Sequence, residues 1–181
     1  RRQRQMCIRD RFKALSASSA ALDPDVYESS EIGVKVALSD DLSLTAAYFD
    51  SEQTRAARDS ETGETNEIVG LQVDGMELEL KGSVSEKMDI VLGLTKMSGK
   101  TGKGGEPREI PDHMISLFAT NQVSDKLGWS LGLTRQGESA IGNDKPGNLL
   151  PAYTRVDFAA YYMIADDLSV QMNIENLNDT L

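Results

Sequence analysis

Ser98-Gly99-Lys100-Thr101-Gly102-Lys103-Gly104-Gly105 is the stretch that comes nearest to a phosphate cradle. A nucleotide-binding loop of the form G-x-x-x-x-G-K-[ST] needs a glycine where Leu94 stands and a helix after it, and neither is present in the pattern. The stretch reads as a surface loop. His113 is the only histidine, so a zinc site has no second imidazole and no nearby thiol to complete it; the residue is expected to open a strand. Asp, Glu and Ser are abundant, but the acids gather in turns and loops, where solvation is their ordinary role, rather than in the pairs a glycosidase needs. No Ser-His-Asp arrangement stands out. The sequence assigns no catalytic residue, no metal ligand and no resident cofactor. Two other groups carry charge in a usable way. Arg55, Arg58, Lys100, Lys103 and Arg108 lie in polar connections, where they either attract an anionic ligand or balance Asp59, Glu61 and Glu106. Arg155 and Asp157 stand two apart in an alternating segment, so they share one face of a strand.

The chain of 181 residues carries 19 Lys+Arg against 29 Asp+Glu, a formal net charge of −10. At 39% hydrophobic it is too apolar for an acidic disordered tail, and its charge excludes a general nucleic-acid binder. No apolar run is long enough for a transmembrane helix, though strands that cross a membrane need none. Residues 1–13, RRQRQMCIRDRFK, are foreign to the rest: strongly basic, with the only cysteine, Cys7. No apolar segment of signal-peptide type follows, so they are expected to be a non-native scar and are set aside. Residues 14–181 form the body.

Alternation with a period of two runs through the body. Ile32, Val34, Val36 and Leu38 oppose Glu31, Gly33, Lys35 and Ala37; Met88, Ile90, Leu92 and Leu94 oppose Asp89, Gly93 and Thr95. Leu42–Phe49, Leu127–Thr134, Tyr153–Ile164 and Leu168–Glu175 alternate as cleanly. In Glu67–Val84 the apolar parity switches across Asp74-Gly75, where a β-bulge is expected, and in His113–Gln122 both faces are partly apolar. This makes about eight strands. They pair through short turns at Ser39-Asp40-Asp41, Ser85-Glu86-Lys87, Ser124-Asp125-Lys126 and Ala165-Asp166-Asp167. Long polar connections, Glu52–Asn66, Gly99–Pro111 and Gly137–Pro151, separate the pairs.

Strict alternation of short and long connections is the habit of outer-membrane barrels, with short periplasmic turns and long extracellular loops. The apolar sets carry no charge through their centres, whereas the opposite sets carry Glu31, Lys35, Asp89, Asp157 and Glu175. A charge on the lipid face at mid-membrane costs about 2–4 kcal/mol, and each clean strand avoids it. A soluble barrel, apolar side inward, has the same alternation, and the loop asymmetry favours the membrane. Tyr48, Phe49, Trp129, Tyr153, Tyr161 and Tyr162 fall near strand ends, as interfacial girdles would.

The body resembles the C-terminal barrel region of TonB-dependent outer-membrane receptors, siderophore-receptor branch. Leu22-Asp23-Pro24-Asp25 before Glu31-Ile32-Gly33-Val34-Lys35 is similar to the family's L-x-P-E…Y-E-I-G-V-K. Leu42-Ser43-Leu44-Thr45-Ala46-Ala47-Tyr48-Phe49 resembles its L-x-L-x-x-A-x-F strand, and Asp74-Gly75-Met76-Glu77-Leu78-Glu79 its x-G-V-E-L-E strand. Ile110-Pro111-Asp112-His113 through Phe118, Leu150-Pro151-Ala152-Tyr153-Thr154-Arg155-Val156-Asp157 and Asn173-Ile174-Glu175-Asn176-Leu177-Asn178-Asp179 resemble V-P-x-H…L-W, L-P-G-Y-T-x-V-D and N-V-x-N-L-F-D. Asp25, Phe118 and Ala152 depart from the family's glutamate, tryptophan and glycine.

The resemblance implies an all-β, antiparallel up-and-down transmembrane β-barrel in the bacterial outer membrane, here an incomplete fragment of about eight strands. Family barrels have about 22 strands around a plug, and no stretch here resembles the plug, the TonB box or the family's last strand. It also implies import of a ferric siderophore, with the TonB energy-coupling complex and outer-membrane lipid as partners and no bond chemistry. The fragment alone is expected not to transport. On this reading Arg55, Arg58, Lys100, Lys103 and Arg108 face the chelate, while Arg155 and Asp157 face the lumen or plug. The alternatives are a passive porin, a small eight-stranded barrel or a soluble lipocalin-like barrel.

Overall fold

A computed structural model describes residues 25–58, 65–141 and 148–180. The reading of residues 1–13 as a scar lies outside them. Ten strands form in chain order: β1 (Val26–Ala37), β2 (Leu42–Arg58), β3 (Thr65–Ser85), β4 (Met88–Thr101), β5 (His113–Gln122), β6 (Leu127–Gln136), β7 (Ser139–Ala140), β8 (Leu149–Leu150), β9 (Tyr153–Ala165) and β10 (Leu168–Ile174). Eight of them make one antiparallel sheet in the order β1-β2-β3-β4-β5-β6-β9-β10. It is an up-and-down meander whose first and last strands do not pair with each other, so the barrel is open. β7 and β8 form a small ribbon within the connection from β6 to β9.

The eight expected strands are all present, and their register shows why the apolar sets matter. Val36, Leu44, Leu80, Leu92, Leu117, Leu133 and Val156 are successive register partners, forming one apolar row across seven strands. Every cleanly alternating apolar set lies on this same face, which we call outward, whereas Leu71 and Val73 of β3 and Met114 and Phe118 of β5 lie on the other. Among the described residues little is packed inside: the buried hydrophobic ones are Ala119 and Ala140, while Ile32 and Val34 are 75% and 59% exposed. Such a sheet is short of apolar partners unless lipid supplies them.

Three of the four short turns share a mechanism. The hydroxyls of Ser39, Ser85 and Ser124 each accept a weak hydrogen bond from the backbone N–H two residues on, at 3.4 Å. This serine-turn geometry reverses the chain without a long loop. Gly82, at φ 137°, lets the Asp41 carbonyl of the first turn approach closely enough to accept from Ser83 N–H at 3.0 Å. A Cβ at Gly82 would lie 1.8 Å from that carbonyl oxygen.

Three expectations need correction. First, there is no bulge at Asp74-Gly75, which pair regularly with Asp50 and Phe49. The register slips instead at Gly70 and at Val84, each skipped in its ladder. The carbonyl freed at Gly70 accepts from Gly102 N–H at 3.2 Å. The parity switch at Asp74 marks the end of the apolar band, above which both faces meet water. Second, β2 and β3 run to 17 and 21 residues, far beyond the ten or so that cross the hydrocarbon core. Most of the connection Glu52–Asn66 is therefore ladder, with Arg55 paired to Ile68 and Arg58 to Thr65 in β2–β3. Third, only Tyr48, Trp129 and Tyr162 share the outward register. Phe49 and Tyr161 point inward, where their rings lie over Gly75 and Gly128, and Tyr153 donates inward to Gln136 Oε1 at 3.3 Å.

Candidate functional site

β9 carries Arg155 and Asp157 on its inward face, and β10 ends beside them. Arg155 Nε donates to Asp157 Oδ1 at 2.8 Å, and its Nη2 donates to Glu175 Oε2 at 3.3 Å. The same Asp157 oxygen accepts from Asn176 N–H at 2.8 Å. The guanidinium thus ties the last turn of the chain to the wall. With Phe118, Ser130 and Asn173, the group lines an inward hollow of about 280 Å³. Arg155 and Asp157 are only half-exposed, whereas Glu175 is 81% exposed. One guanidinium faces two carboxylates, so the group keeps one net negative charge on the inward face. Among the described residues no group of acids, His or Cys is placed to hold a metal.

Asn176 and Asp179 lie in the left-handed region, at φ 52° and 50°, so the chain leaves strand geometry here. Asn178 takes over the ladder: its Oδ1 accepts from Val156 N–H at 3.0 Å and its Nδ2 donates to Thr154 C=O at 2.6 Å. Leu177 N–H donates to Val156 C=O at 2.7 Å. The asparagine-rich segment is therefore a side-chain substitute for strand pairing along the edge of β9. Sequence reasoning saw this segment only as a resemblance; amide side chains in place of backbone leave no periodic signal.

The second group lies at the long-loop end. Lys100 is in the tip of β4, in register with Gln72, and Lys103 is in the turn that follows, closed by Thr101 N–H donating to Gly105 C=O at 2.8 Å. No helix follows, so the glycine-lysine stretch is a strand tip and turn. Pro107 folds back against Gly99, where a Cβ would come within 2.5 Å of its ring. Arg108 bridges Ala140 in parallel, and Glu109 N–H donates to Ala140 C=O at 2.9 Å, which stitches this loop to β7. Lys100, Lys103 and Arg108 are exposed; the side chains of Arg55 and Arg58 lie outside the described residues. Lys100, Lys103 and Arg108 thus stand on a strand tip, a turn and a loop of the long-loop end. His113 opens β5 as expected. Its Nδ1 lies 2.9 Å from Asp112 Oδ1, and this bond holds the exposed Asp112 carboxyl below its usual range.

The family model for TonB dependent receptor-like beta-barrels matches residues 10–177. The probable TonB-dependent siderophore receptor PiuA of Acinetobacter baumannii is 27% identical over 94% of the chain, which covers 25% of that protein. Its crystal structure superposes with a TM-score of 0.79, over 92% of this chain and 26% of that one, at 26% identity. The ferripyoverdine receptor of the outer membrane of Pseudomonas aeruginosa superposes with a TM-score of 0.71 at 27% identity, over 88% and 24% of the two chains. The ferric-catecholate import receptor Fiu of Escherichia coli shares the fold, with a TM-score of 0.79 over 93% and 26% of the chains. The chain thus spans about a quarter of the length of these relatives, which are receptors rather than enzymes. An open antiparallel meander, an unbroken outward apolar row and a family match over nearly the whole sequence lead to one assignment: the chain belongs to the TonB-dependent receptor beta-barrel family and is an outer-membrane protein.

Proposed function

We propose that this chain is the C-terminal part of the barrel of a receptor that imports a ferric siderophore, with the TonB complex and an N-terminal plug supplied by the rest of the protein. The observation that carries the reading is the polarity of the sheet. One end closes in tight turns, three of them built on serine, and the other rises in a long β2–β3 hairpin and a folded loop after β4 that bears the exposed Lys103 and Arg108. That second end has the longer connections with which to meet a ligand. Its cations, Arg55, Arg58, Lys100, Lys103 and Arg108, attract an anionic chelate as a field rather than as one pocket. Arg155 and Asp157, facing the lumen with Glu175, form a polar contact for the plug. The relatives carry different cargoes in their names, from ferripyoverdine to ferric catecholate, so chelate class is a property to be measured.

The test is uptake of radioactive iron by a bacterial strain that lacks its own siderophore receptors and expresses the complete reading frame containing this chain. Catecholate, hydroxamate and carboxylate chelates are offered in turn, with TonB present and deleted. Saturable, TonB-dependent uptake of one class supports the proposal. Equal flux without TonB would make the protein a passive channel, and no uptake of any chelate would remove iron import.

A further inference from the structure

The connection from β4 to β5 is fastened along its length, each time by a different group. At its start Gly102 N–H donates to Gly70 C=O at 3.2 Å, using the carbonyl that the register slip in β3 leaves over. Thr101 closes the turn that follows: its C=O accepts from Gly104 N–H at 2.8 Å and its Oγ1 from Gly105 N–H at 3.0 Å. Pro107 then takes the place of a Gly99 side chain, since a Cβ there would fall 2.5 Å from its ring. Gly99 shares the inward parity of Met97, so the connection folds over the lumen side of the wall.

The next fastenings join it to the segment that holds β7. Gly137 N–H donates to His113 C=O at 2.8 Å, and a Cβ at Gly137 would collide with Asp112 Oδ1. Glu109 N–H donates to Ala140 C=O at 2.9 Å, beside the parallel bridge between Arg108 and Ala140. Glu109 does so at φ 59°, a left-handed conformation that is costly for a non-glycine residue and persists only where its surroundings fix it. The packing agrees. Pro107, Pro111 and Gly137 are buried, and Ser139 and Ala140 are 4% and 8% exposed. A flap that opens has few buried contacts and exposed backbone bonds; this junction has the reverse.

We propose that the β4–β5 connection and the β7 segment form one preassembled collar, a fixed wall of the ligand vestibule that sets specificity by its shape and does not close over the ligand. Gly102 and Glu109 are its two joints, and the exposed Lys103, Glu106 and Arg108 keep fixed places on it. A wall already in place needs no ordering when the ligand arrives, which favours a chelate of matching outline. The role toward a ligand rests on the receptor reading; the collar itself does not.

Hydrogen exchange of the full chain in detergent micelles, followed amide by amide, tests the collar. The amides of Gly102 and Glu109 are expected to exchange within about tenfold of Leu92 in the strand. Glu109→Gly keeps the N–H and fits φ 59°, so exchange at positions 109 and 102 slows together, by about fivefold or more. Glu109→Pro removes the N–H and cannot adopt that φ, so exchange at Gly102 quickens at least about tenfold while Leu92 is unchanged. Exchange at Gly102 that ignores both substitutions makes the joints independent and overturns the collar. So do free-loop rates at both amides in the unaltered chain. For the ligand role, spin labels on Glu106→Cys and Glu138→Cys, in the complete reading frame with Cys7→Ser, report the distance between the two pieces. It is expected to hold within about 2 Å when a ferric catecholate, a ferric hydroxamate or ferric citrate is added. A larger change with any of the three makes the pair a moving flap and overturns the fixed wall. Slow, coupled exchange without any iron uptake would remove the receptor reading and leave the collar standing.

Discussion

Replacing Leu92 by arginine puts the outward-facing account at risk in a measurable way. Leu92 sits midway along the outward run of β4, from Met88 to Lys96, with Leu80 and Leu117 as its register partners. Eight steps at roughly 3.4 Å give about 27 Å of strand, and a tilt near 40° lowers this to about 21 Å, close to the usual apolar band. An arginine at the middle costs about 2–4 kcal/mol, a shift of about 30- to 700-fold in the folding equilibrium. At Leu94 the cost falls, and at position 96 it vanishes, because a lysine already stands there. Val91→Arg, one residue away but inward, costs under about 1 kcal/mol. The assay is urea unfolding from phospholipid vesicles, read by the single tryptophan, Trp129, with Leu92→Ala as the packing control. If Val91→Arg is as harmful as Leu92→Arg, or if the cost does not fall from Leu92 to Leu94, the outward face does not meet lipid.

Three further outcomes follow from local geometry. Gly75→Ala places a Cβ 2.7 Å from both the Phe49 ring and the Lys96 carbonyl oxygen, which predicts a loss of about 1–3 kcal/mol; Phe49→Ala in the same chain should recover part of it, as a double-mutant unfolding cycle would show. Asn178→Ala strips Val156 N–H and Thr154 C=O of their partners, so hydrogen exchange at Val156 should accelerate and stability should fall by about 1–3 kcal/mol. Asp112 has its carboxyl held low by His113. Its contribution is therefore full above the ordinary carboxylate value of 3.8 and is lost as pH falls through the lowered one. An acid titration of the β5 amide signals should show a step below that value, and Asp112→Asn should abolish it.

The strands were legible where one face meets lipid, because only there does the sequence alternate. The outer halves of β2 and β3 were read as loop, since in water on both sides Ser51-Glu52-Gln53-Thr54 needs no apolar parity to pair as strand. The same physics misplaced the bulge: the parity break at Asp74 is a change of solvent, while the true slips at Gly70 and Val84 leave no hydrophobic trace. Arg155 and Asp157 could be put on one face by counting, but Glu175 joins them only through the β9–β10 register. The joint between Glu109 and Ala140 left no trace in the sequence, because it links backbone groups of two separate connections. The asparagine latch at Asn176–Asn178 was a motif whose reason appears only when its amides are seen on the backbone of β9.

Spin labels placed singly along β4, in a Cys7→Ser background, test the central claim most directly. With the chain in lipid vesicles, labels at Ile90, Leu92 and Leu94 should be open to oxygen and shielded from a polar nickel reagent, and labels at Asp89, Val91 and Gly93 should show the reverse. An inverted or absent alternation would contradict the account, because the apolar row would then face something other than the outer membrane.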